Sequence, residues 1–379
     1  MDLEGEKKIF SNISNNLIRN KNSIYLLKLF IIIIISFIIA FTLINIGIIK
    51  FSIKYLENMN IKLKNDLFNT IYNLTKSLEN KNNQNEEFNE NIKEEYRENQ
   101  NNFCKNINEY FNFDFEKKIK LGKVIFKNIT FNMFIYKKND VVSKFISNEN
   151  SWEKLCTNNI INALNYYSKK KNLLNKDIYI IDVGGNIGWY TFILGKYGYN
   201  IFTFEPSKIN YYILNKSYCL NKDINITIIN KGLFPIEKKC YIFSSEDNIG
   251  NGMINCDKKE YEGNINNGEI ILTKLSNYIP FFRNRNLAMI KMDIEGSEGK
   301  AIESGIEFIT KYHIPFIFIE FMPKLLTSYG TNPKKLLEIF INNGYKINLL
   351  NFFETKIYDI EYIIKRNRNL YIVYNSFLK

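Results

Sequence analysis

Hydrophobic residues are concentrated most strongly in one uninterrupted run near the start of the chain. Residues 29–49 form a stretch of 21 residues without a charged side chain. An α-helix rises about 1.5 Å per residue, so a helix of this length spans the hydrocarbon core of a bilayer. The run is longer than the apolar part of a signal peptide, and no small-residue cleavage site follows it. We therefore predict a transmembrane anchor at residues 29–49, preceded by an N-terminal tail at residues 1–28.

The orientation of this anchor depends on the basic residues that flank it. Lys and Arg occur on both sides of the run: Arg19, Lys21 and Lys28 before it, and Lys50, Lys54, Lys62 and Lys64 after it. The positive-inside rule requires an asymmetry that these residues do not supply. The short N-terminal tail favours a single-pass protein with its N-terminus in the cytosol and the rest of the chain in the lumen.

Leucine and isoleucine recur at helical intervals after the anchor. The residues concerned lie three, four or seven positions apart and are Leu56, Leu63, Leu67, Ile71, Leu74 and Leu78. They predict a helical stem over residues 50–78, which either forms a coiled coil that pairs two chains or packs on the following domain. Residues 79–102 are polar and nearly free of aliphatic side chains, which predicts a spacer. Residues 103–379 then form the predicted globular domain.

Within this domain, apolar strand-like runs alternate with helix-like segments. The strand-like runs are 124–136, 178–183, 200–205, 225–229, 287–293, 315–321 and 370–375. The helix-like segments are 189–196, 207–220, 297–309 and 333–343. This alternation indicates a mostly parallel sheet with helices on both faces, an α/β doubly wound fold. The first run is predicted to be a hairpin-like addition, and the Gly- and Asn-rich segment 247–257 is predicted to be a surface loop, or else a loop that covers the substrate.

Charge and cysteine content narrow the classes of partner and site. Lys and Arg outnumber Asp and Glu by 51 to 39, for a formal charge of +12. This charge favours an anionic partner, or it reflects an ordinary lysine-rich surface. No basic run is interleaved with aromatics, so we expect no nucleic-acid partner. The five cysteines are odd in number and scattered, which argues against a zinc site or a disulfide scaffold, and a single histidine, His313, excludes His-based metal sites.

A glycine-rich turn follows the first strand of the alternating unit. Asp182 closes that strand, and the pattern D-x-G-G-N-x-G continues with Gly184, Gly185, Asn186 and Gly188. The pattern is neither G-x-G-x-x-G nor a P-loop. Glu205 closes the next strand, where a carboxylate is placed to accept hydrogen bonds from ribose hydroxyls at the switch point of a doubly wound sheet. Together these residues predict a nucleoside-binding site.

The sequence also resembles a known family. The blocks "IDVGGNIGWYT", "FTFEPSKINYYILN", "MIKMDIEGSEGKAIESG" and "PFIFIE" are similar, in this order, to those of FkbM-type methyltransferases. The resemblance implies the class I methyltransferase fold, a seven-stranded sheet with its last strand antiparallel. It also implies S-adenosyl-L-methionine as cofactor and, commonly, O-methylation. Asp182, Gly184 and Gly188 match its cofactor-loop positions, Glu205 matches its ribose acid, and Glu153 matches an acid that often precedes the cofactor strand.

The block around the fourth strand carries the candidate chemistry. Methyl transfer to an alcohol requires a base, and with one histidine in the chain this base must be a carboxylate or a lysine. Asp293 is the first candidate for the base, and Glu320, at the end of the fifth strand, is the second. Lys291 either stabilises an alkoxide or is an outward-facing structural lysine. Glu298 either acts in the site or begins the next helix, where an acid favours the helix dipole.

These features predict a membrane-anchored S-adenosylmethionine-dependent methyltransferase acting on a hydroxyl of a small molecule, glycan or lipid. The alternatives are a methyltransferase-like module that has lost activity and tethers a partner, and an NAD-dependent oxidoreductase. The absent G-x-G-x-x-G pattern argues against the oxidoreductase. Nothing in the sequence requires a metal ion, and none is predicted.

Overall fold

The structure is a computed structural model that describes residues 93–110, 112–256 and 263–379. The predicted tail, anchor and stem, and the first part of the spacer, lie outside these residues and stay predictions. Within the described ranges, no helix combines the length and apolar character needed to cross a membrane.

The described strands and helices follow one another through the domain. The strands are β1 (Ile119–Phe126), β2 (Ile129–Tyr136), β3 (Ile178–Val183), β4 (Asn200–Phe204), β5 (Ile226–Ile229), β6 (Gly232–Leu233), β7 (Lys238–Ser245), β8 (Asn248–Asn255), β9 (Ile265–Thr273), β10 (Asn286–Met292), β11 (Phe316–Phe321), β12 (Tyr345–Asn348) and β13 (Arg368–Tyr374). The helices are α1 (Phe113–Glu116), α2 (Val141–Glu149), α3 (Lys154–Lys171), α4 (Trp189–Lys196), α5 (Lys208–Leu220), α6 (Ile279–Phe282), α7 (Glu298–Ser304), α8 (Glu307–Thr310), α9 (Pro323–Ser328), α10 (Pro333–Asn342), α11 (Ile360–Ile363) and α12 (Asn375–Leu378). Residues 93–105 are also helical.

The central sheet has seven strands in the order β12-β13-β11-β10-β3-β4-β5. Neighbouring strands from β11 to β5 are parallel, whereas β13 is antiparallel to both β11 and β12. The predicted sheet with an antiparallel last strand is therefore confirmed. The strands that follow β3 in the chain, β4 and β5, are added on one side of it. Strand β10 lies on the other side of β3, and β11 is added beyond β10. The crevice at the carboxyl ends of β3 and β10 is thus the switch point, where open α/β sheets bind ligands.

Both faces of the sheet are buried. Along β3, Ile178 and Ile180 pack into one hydrophobic cluster, and Ile181 and Val183 pack into the other. Helices α3, α4 and α5 contribute buried side chains to the first cluster, and α7, α8 and α10 contribute to the second. The predicted α/β architecture with helices on both faces is confirmed.

Several elements differ from the sequence-based prediction. The hairpin-like addition predicted at 124–136 is confirmed as the antiparallel pair β1 and β2, although β1 begins earlier, at Ile119. Strand β12 was not predicted. The prediction of a loop at 247–257 was wrong, because most of it is β8, which pairs with β7 in a four-stranded sheet ordered β6-β9-β7-β8. Asn and Gly are unfavourable in strands, but pairing within the sheet outweighs this preference.

The end of the predicted spacer is part of the domain. Residues 93–102 lie in the helical stretch 93–105, where Gln100 is fully buried and its Oε1 accepts a hydrogen bond of 3.2 Å from the backbone N–H of Ile228. Cys104 of the same stretch forms a disulfide with Cys219 of α5. The helical stretch is therefore attached to the domain by packing and by a covalent bond.

The prediction that the cysteines form no disulfide scaffold was wrong. Besides the bond between Cys104 and Cys219, Cys240 in β7 pairs with Cys256 just after β8, and Cys156 is free. Cys104 and Cys219 are 115 residues apart in sequence, and only the fold brings them together. Counting and spacing of cysteines do not reveal such a pair.

Candidate active site

A cavity of about 330 Å³ lies at the switch point of the central sheet. Its wall is formed by residues that follow β3, β4, β10 and β11, together with residues of β8. Eight of the ten predicted site residues line it: Glu153, Gly184, Gly185, Asn186, Glu205, Lys291, Asp293 and Glu320. Asp182 and Gly188 do not line the cavity. Asp182 is buried in β3, and Gly188 immediately precedes α4. The structure thus brings nearly all of the predicted residues together.

The glycine turn holds two strand ends together. The backbone N–H groups of Gly184 and Gly185 both donate to the carbonyl oxygen of Phe204, at 2.9 and 3.1 Å, which fixes the turn against the end of β4. Gly184 has φ +80°, and a Cβ atom there would lie 2.0 Å from the carbonyl oxygen of Asp293. At this position glycine therefore permits the loop after β3 to touch the loop after β10. The close approach is to the chain itself rather than to a ligand.

Glu205 is a buried carboxylate at the wall of the cavity. Its Oε2 accepts from the backbone N–H of Asn186, and its Oε1 accepts from that of Ser207, both at 2.8 Å. Burial raises the pKa of Glu205 to about 7, although these backbone hydrogen bonds act in the opposite direction. The acid is thus held at the position predicted for a ribose-binding carboxylate.

Lys291 lies on the same face of the sheet as Asp182, its register partner on the neighbouring strand. The lysine Nζ donates to the carbonyl oxygen of Gly184 at 3.0 Å and lies 3.3 Å from Asp182 Oδ1 and 3.7 Å from Asp293 Oδ2. Burial alone would lower the pKa of Lys291, but the charges of Asp182 and Asp293 outweigh burial and raise it. The alternative of an outward-facing lysine is therefore wrong, because Lys291 is 3% exposed.

Asp182 is fixed by its surroundings rather than presented to the cavity. Its Oδ2 accepts from the hydroxyl of Thr191 at 2.7 Å, and that hydroxyl lies 2.9 Å from the hydroxyl of Thr203 on β4. Asp182 therefore holds Lys291 and the start of α4 in place. Asp182 therefore stabilises residues that border the cavity, although it does not line the cavity itself.

Three carboxylates lie close together at the wall of the cavity. One oxygen each from Asp293, Glu295 and Glu320 lie within 4.8 Å of one another. Burial, followed by the charges of Asp293 and Glu295, raises the pKa of Glu320 to about 10. Burial and the charge of Asp293 raise the pKa of Glu295 to about 7. Glu295 has φ +54° and lies beyond the end of β10 at Met292, in the loop that precedes α7.

Glu153 reaches the same region from the start of α3. Its Oε2 accepts a hydrogen bond of 2.6 Å from the hydroxyl of Tyr190, and burial raises the pKa of Glu153. Tyr190 and Trp189 are both buried in the core, and both also line the cavity. The Lys291 ammonium lies 5.2 Å from the centre of the Tyr190 ring, so Glu153 lies on the Lys291 side of the cavity.

Strand β8 covers the cavity with polar groups that the sequence analysis missed. The Asn251 side chain donates to Glu295 and, at 3.4 Å, hydrogen-bonds with Asn186. The Asn210 side chain of α5 donates to the carbonyl oxygen of Gly250 at 2.9 Å. The strand therefore links the turn after β3 to the acids after β10. The only feature of the sequence that marked this segment was its high content of Asn and Gly, and that composition is typical of a loop rather than of a strand.

A comparison with protein-family models identifies the central part of this domain. Residues 182–347 match the model described as the methyltransferase FkbM domain. The predicted resemblance is confirmed. The matched residues run from Asp182 to Ile347 of β12, so they include every predicted site residue except Glu153.

Solved structures give more distant likenesses. The bifunctional kinase-methyltransferase WbdD aligns with a TM-score of 0.38 and 10% identity, covering 62% of this chain and 43% of that one. Magnesium protoporphyrin IX methyltransferase (ChlM) from Synechocystis PCC 6803 with bound SAM aligns with a TM-score of 0.31 and 12% identity, covering 57% and 79%. The chain thus spans less than half of the length of WbdD. No curated protein sequence matches it significantly.

Proposed function

We propose that the domain uses S-adenosylmethionine to methylate a hydroxyl oxygen of its acceptor. The observation that supports this most directly is a single cavity that is lined by Glu205 after β4, Asp293 after β10 and Glu320 near the end of β11. Glu205 is suited to bind a nucleoside, and the carboxylate of Asp293 is suited to receive a proton from a hydroxyl group.

The turn after β3 and Glu205 fit the nucleoside part of the cofactor. A carboxylate has about four lone-pair positions. The backbone N–H groups of Asn186 and Ser207 take two of these positions on Glu205, which leaves positions for ribose hydroxyls. Asn186 Oδ1 is also buried without a hydrogen-bond partner among the described residues. When bound, S-adenosylmethionine supplies an electrophilic methyl group on a positively charged sulfur.

Asp293 is the best placed base. Its side chain is 36% exposed and lines the cavity, with the Lys291 ammonium 3.7 Å away. Glu320 has a pKa of about 10, so at neutral pH its carboxyl group carries a proton and is suited to donate a hydrogen bond. Lys291 already contacts two carboxylates and a carbonyl oxygen, so it positions Asp293 rather than stabilising an alkoxide. We assign proton removal to Asp293, with Glu320 and Lys291 in supporting roles.

We also propose that the enzyme is a single-pass membrane protein whose domain faces an oxidising compartment. The uncharged run of residues 29–49 supports the anchor. The two disulfides, one of which attaches the helical stretch 93–105 to α5, support a lumenal or extracellular domain, because disulfides are rare where thiols are kept reduced. Glycan, lipid or small-molecule hydroxyls on that side of the membrane are the proposed acceptors.

Cofactor binding tests this proposal. Calorimetry with the full-length chain in detergent measures binding of S-adenosylhomocysteine and NAD to the native protein, to Glu205→Gln and to the control Glu303→Gln. Glu303 lies on α7, and its side chain is 58% exposed. Hydrogen bonds to charged groups are worth about 1.5–3 kcal/mol, so Glu205→Gln should weaken S-adenosylhomocysteine binding about 10- to 100-fold. The control should bind normally. Failure of the folded native protein to bind favours a tethering module, and binding of NAD alone favours an oxidoreductase.

A further inference from the structure

The carboxylates at the carboxyl ends of β10 and β11 have the arrangement of ligands around one cation. In octahedral Mg²⁺ sites the oxygen ligands lie about 2.1 Å from the ion, so opposite ligands are about 4.2 Å apart. One oxygen from each of Asp293, Glu295 and Glu320 falls within 4.8 Å of the others. Small side-chain movements would bring all three to ligand distances. Asp293 and Glu295 lie in the loop after β10, and Glu320 lies near the carboxyl end of β11, so the fold itself assembles them.

The acids of the cavity greatly outnumber its basic groups. Glu153 and Glu205 line the cavity in addition to the three clustered carboxylates, and Lys291 is the basic residue among the described residues that line it. The Lys291 ammonium lies closer to Asp182, at 3.3 Å, than to Asp293, at 3.7 Å. Its charge is therefore shared between Asp182 in the core and Asp293 of the cluster, and no second basic side chain among the described residues lines the cavity beside Glu295 and Glu320.

Glu298 provides a second, independent observation beside this cluster. Its side chain is fully buried, and its Oε1 accepts from the backbone N–H groups of Ile294 and Gly296. Its Oε2 is buried without a hydrogen-bond partner among the described residues, and so is Oε2 of Glu320. The two N–H groups flank Glu295 in the chain, so the Glu298 carboxylate lies directly behind the loop that carries Asp293 and Glu295. Buried carboxylate oxygens without donors are costly unless a proton or a cation satisfies them.

We propose that Asp293, Glu295 and Glu320 bind one divalent cation, Mg²⁺ or Mn²⁺, with Glu298 as a carboxylate behind them. Oxygen ligands of this type suit both ions. Binding of the cation stands on the geometry alone. Its use rests on the proposed function: a cation here would polarise the acceptor hydroxyl and lower the pKa of that hydroxyl.

The variant Glu320→Gln is suited to test the site. Glutamine has nearly the same size and shape as glutamic acid, and it can keep the same backbone position in β11. The fold should therefore persist, and thermal unfolding of the metal-free protein verifies this. A carboxamide, in contrast, is a much weaker ligand for a divalent cation. Glu303→Gln on the exposed face of α7 makes the same chemical change outside the cluster.

The experiment titrates Mn²⁺ into the full-length chain in detergent, with the free ion followed by its electron paramagnetic resonance signal. We expect one Mn²⁺ per native chain, unchanged affinity in Glu303→Gln, and an affinity about tenfold or more lower in Glu320→Gln. Mg²⁺ should compete for the same site. Absence of stoichiometric Mn²⁺ binding, or equal affinity in Glu320→Gln, would overturn the proposal and indicate a cluster that shares a proton.

Binding of S-adenosylhomocysteine, measured on the same samples, separates this inference from the proposed function. If Mn²⁺ binds and S-adenosylhomocysteine does not, the cation site stands and the methyltransferase proposal fails. If S-adenosylhomocysteine binds and Mn²⁺ does not, the cation proposal alone fails.

Discussion

The Lys291 ammonium lies 3.3 Å from the Asp182 carboxylate, on neighbouring parallel strands in which the two residues are register partners. Both side chains are almost fully buried; Lys291 donates to the carbonyl oxygen of Gly184 in the turn after β3, and Asp182 accepts from the hydroxyl of Thr191 in α4. This buried ion pair therefore connects β3 and β10 to the glycine turn and to the start of α4. Removing one partner leaves the other as an isolated buried charge, which is costly.

Lys291→Met should lower the free energy of unfolding by about 3–5 kcal/mol, because Asp182 then keeps a buried charge without a partner. Lys300→Met, which breaks an exposed pair with Glu303, should cost at most about 1 kcal/mol. Urea unfolding followed by circular dichroism measures both. The double variant Lys291→Met/Asp182→Asn should lose less than the sum of its single variants. Full additivity would mean that the two residues do not interact.

Gly184→Ala should destabilise the protein by about 2–5 kcal/mol, the combined cost of a left-handed alanine and of overpacking. The reason is the added Cβ, which would meet the carbonyl oxygen of Asp293 at 2.0 Å. Gly330 is a matched control, with φ +73° and no atom within 4 Å of an added Cβ. Gly330→Ala should therefore lower the free energy of unfolding only by the cost of placing an alanine in the left-handed conformation, about 1–2 kcal/mol. Equal losses in the two variants would show that the loops after β3 and β10 are not in contact.

The raised pKa of Glu205 predicts a pH dependence of stability. The folded-state pKa is about 7, above the ordinary value of 4.5, so between these values the folded protein holds a proton that the unfolded chain has lost. The free energy of unfolding should thus fall as pH rises from 5 to 7, by up to about 1.4 kcal/mol per pH unit from this residue. Glu205→Gln should reduce that slope, and Glu303→Gln should not. A native slope unchanged in Glu205→Gln would contradict the buried, protonated state.

The disulfides predict how many thiols react. The chain has five cysteines, of which four are paired. After denaturation without reductant, a maleimide of high mass should label one cysteine per chain, Cys156, and after reduction it should label five.

Protein from intact membranes should also keep its domain protected from external protease until detergent is added. Five reactive thiols before reduction, or digestion of the domain in sealed vesicles, would contradict an oxidising compartment.

The fold and the nucleoside side of the site could be predicted from the sequence because their signals are local. The glycine turn and Glu205 each follow an apolar strand, and strands alternating with helices place their carboxyl ends together. The burial of Lys291 could not be predicted, since it depends on the register between β3 and β10. Strand β8 was missed because its Asn- and Gly-rich sequence is typical of loops, and only pairing with β7 makes it a strand.

The transfer of a labelled methyl group tests the account most directly. The full-length chain and its Asp293→Asn variant are incubated with S-adenosylmethionine, tritiated in the methyl group, and with membrane and lumenal fractions from the source cells, with Mg²⁺ present. We predict that the native protein labels an acceptor with a methyl ether, which mild alkali does not release. Asp293→Asn should lower the rate about 100-fold or more while still binding the cofactor. Label released by alkali as methanol, or equal rates in the two proteins, would contradict a methyltransferase that acts on hydroxyl oxygens with Asp293 as its base.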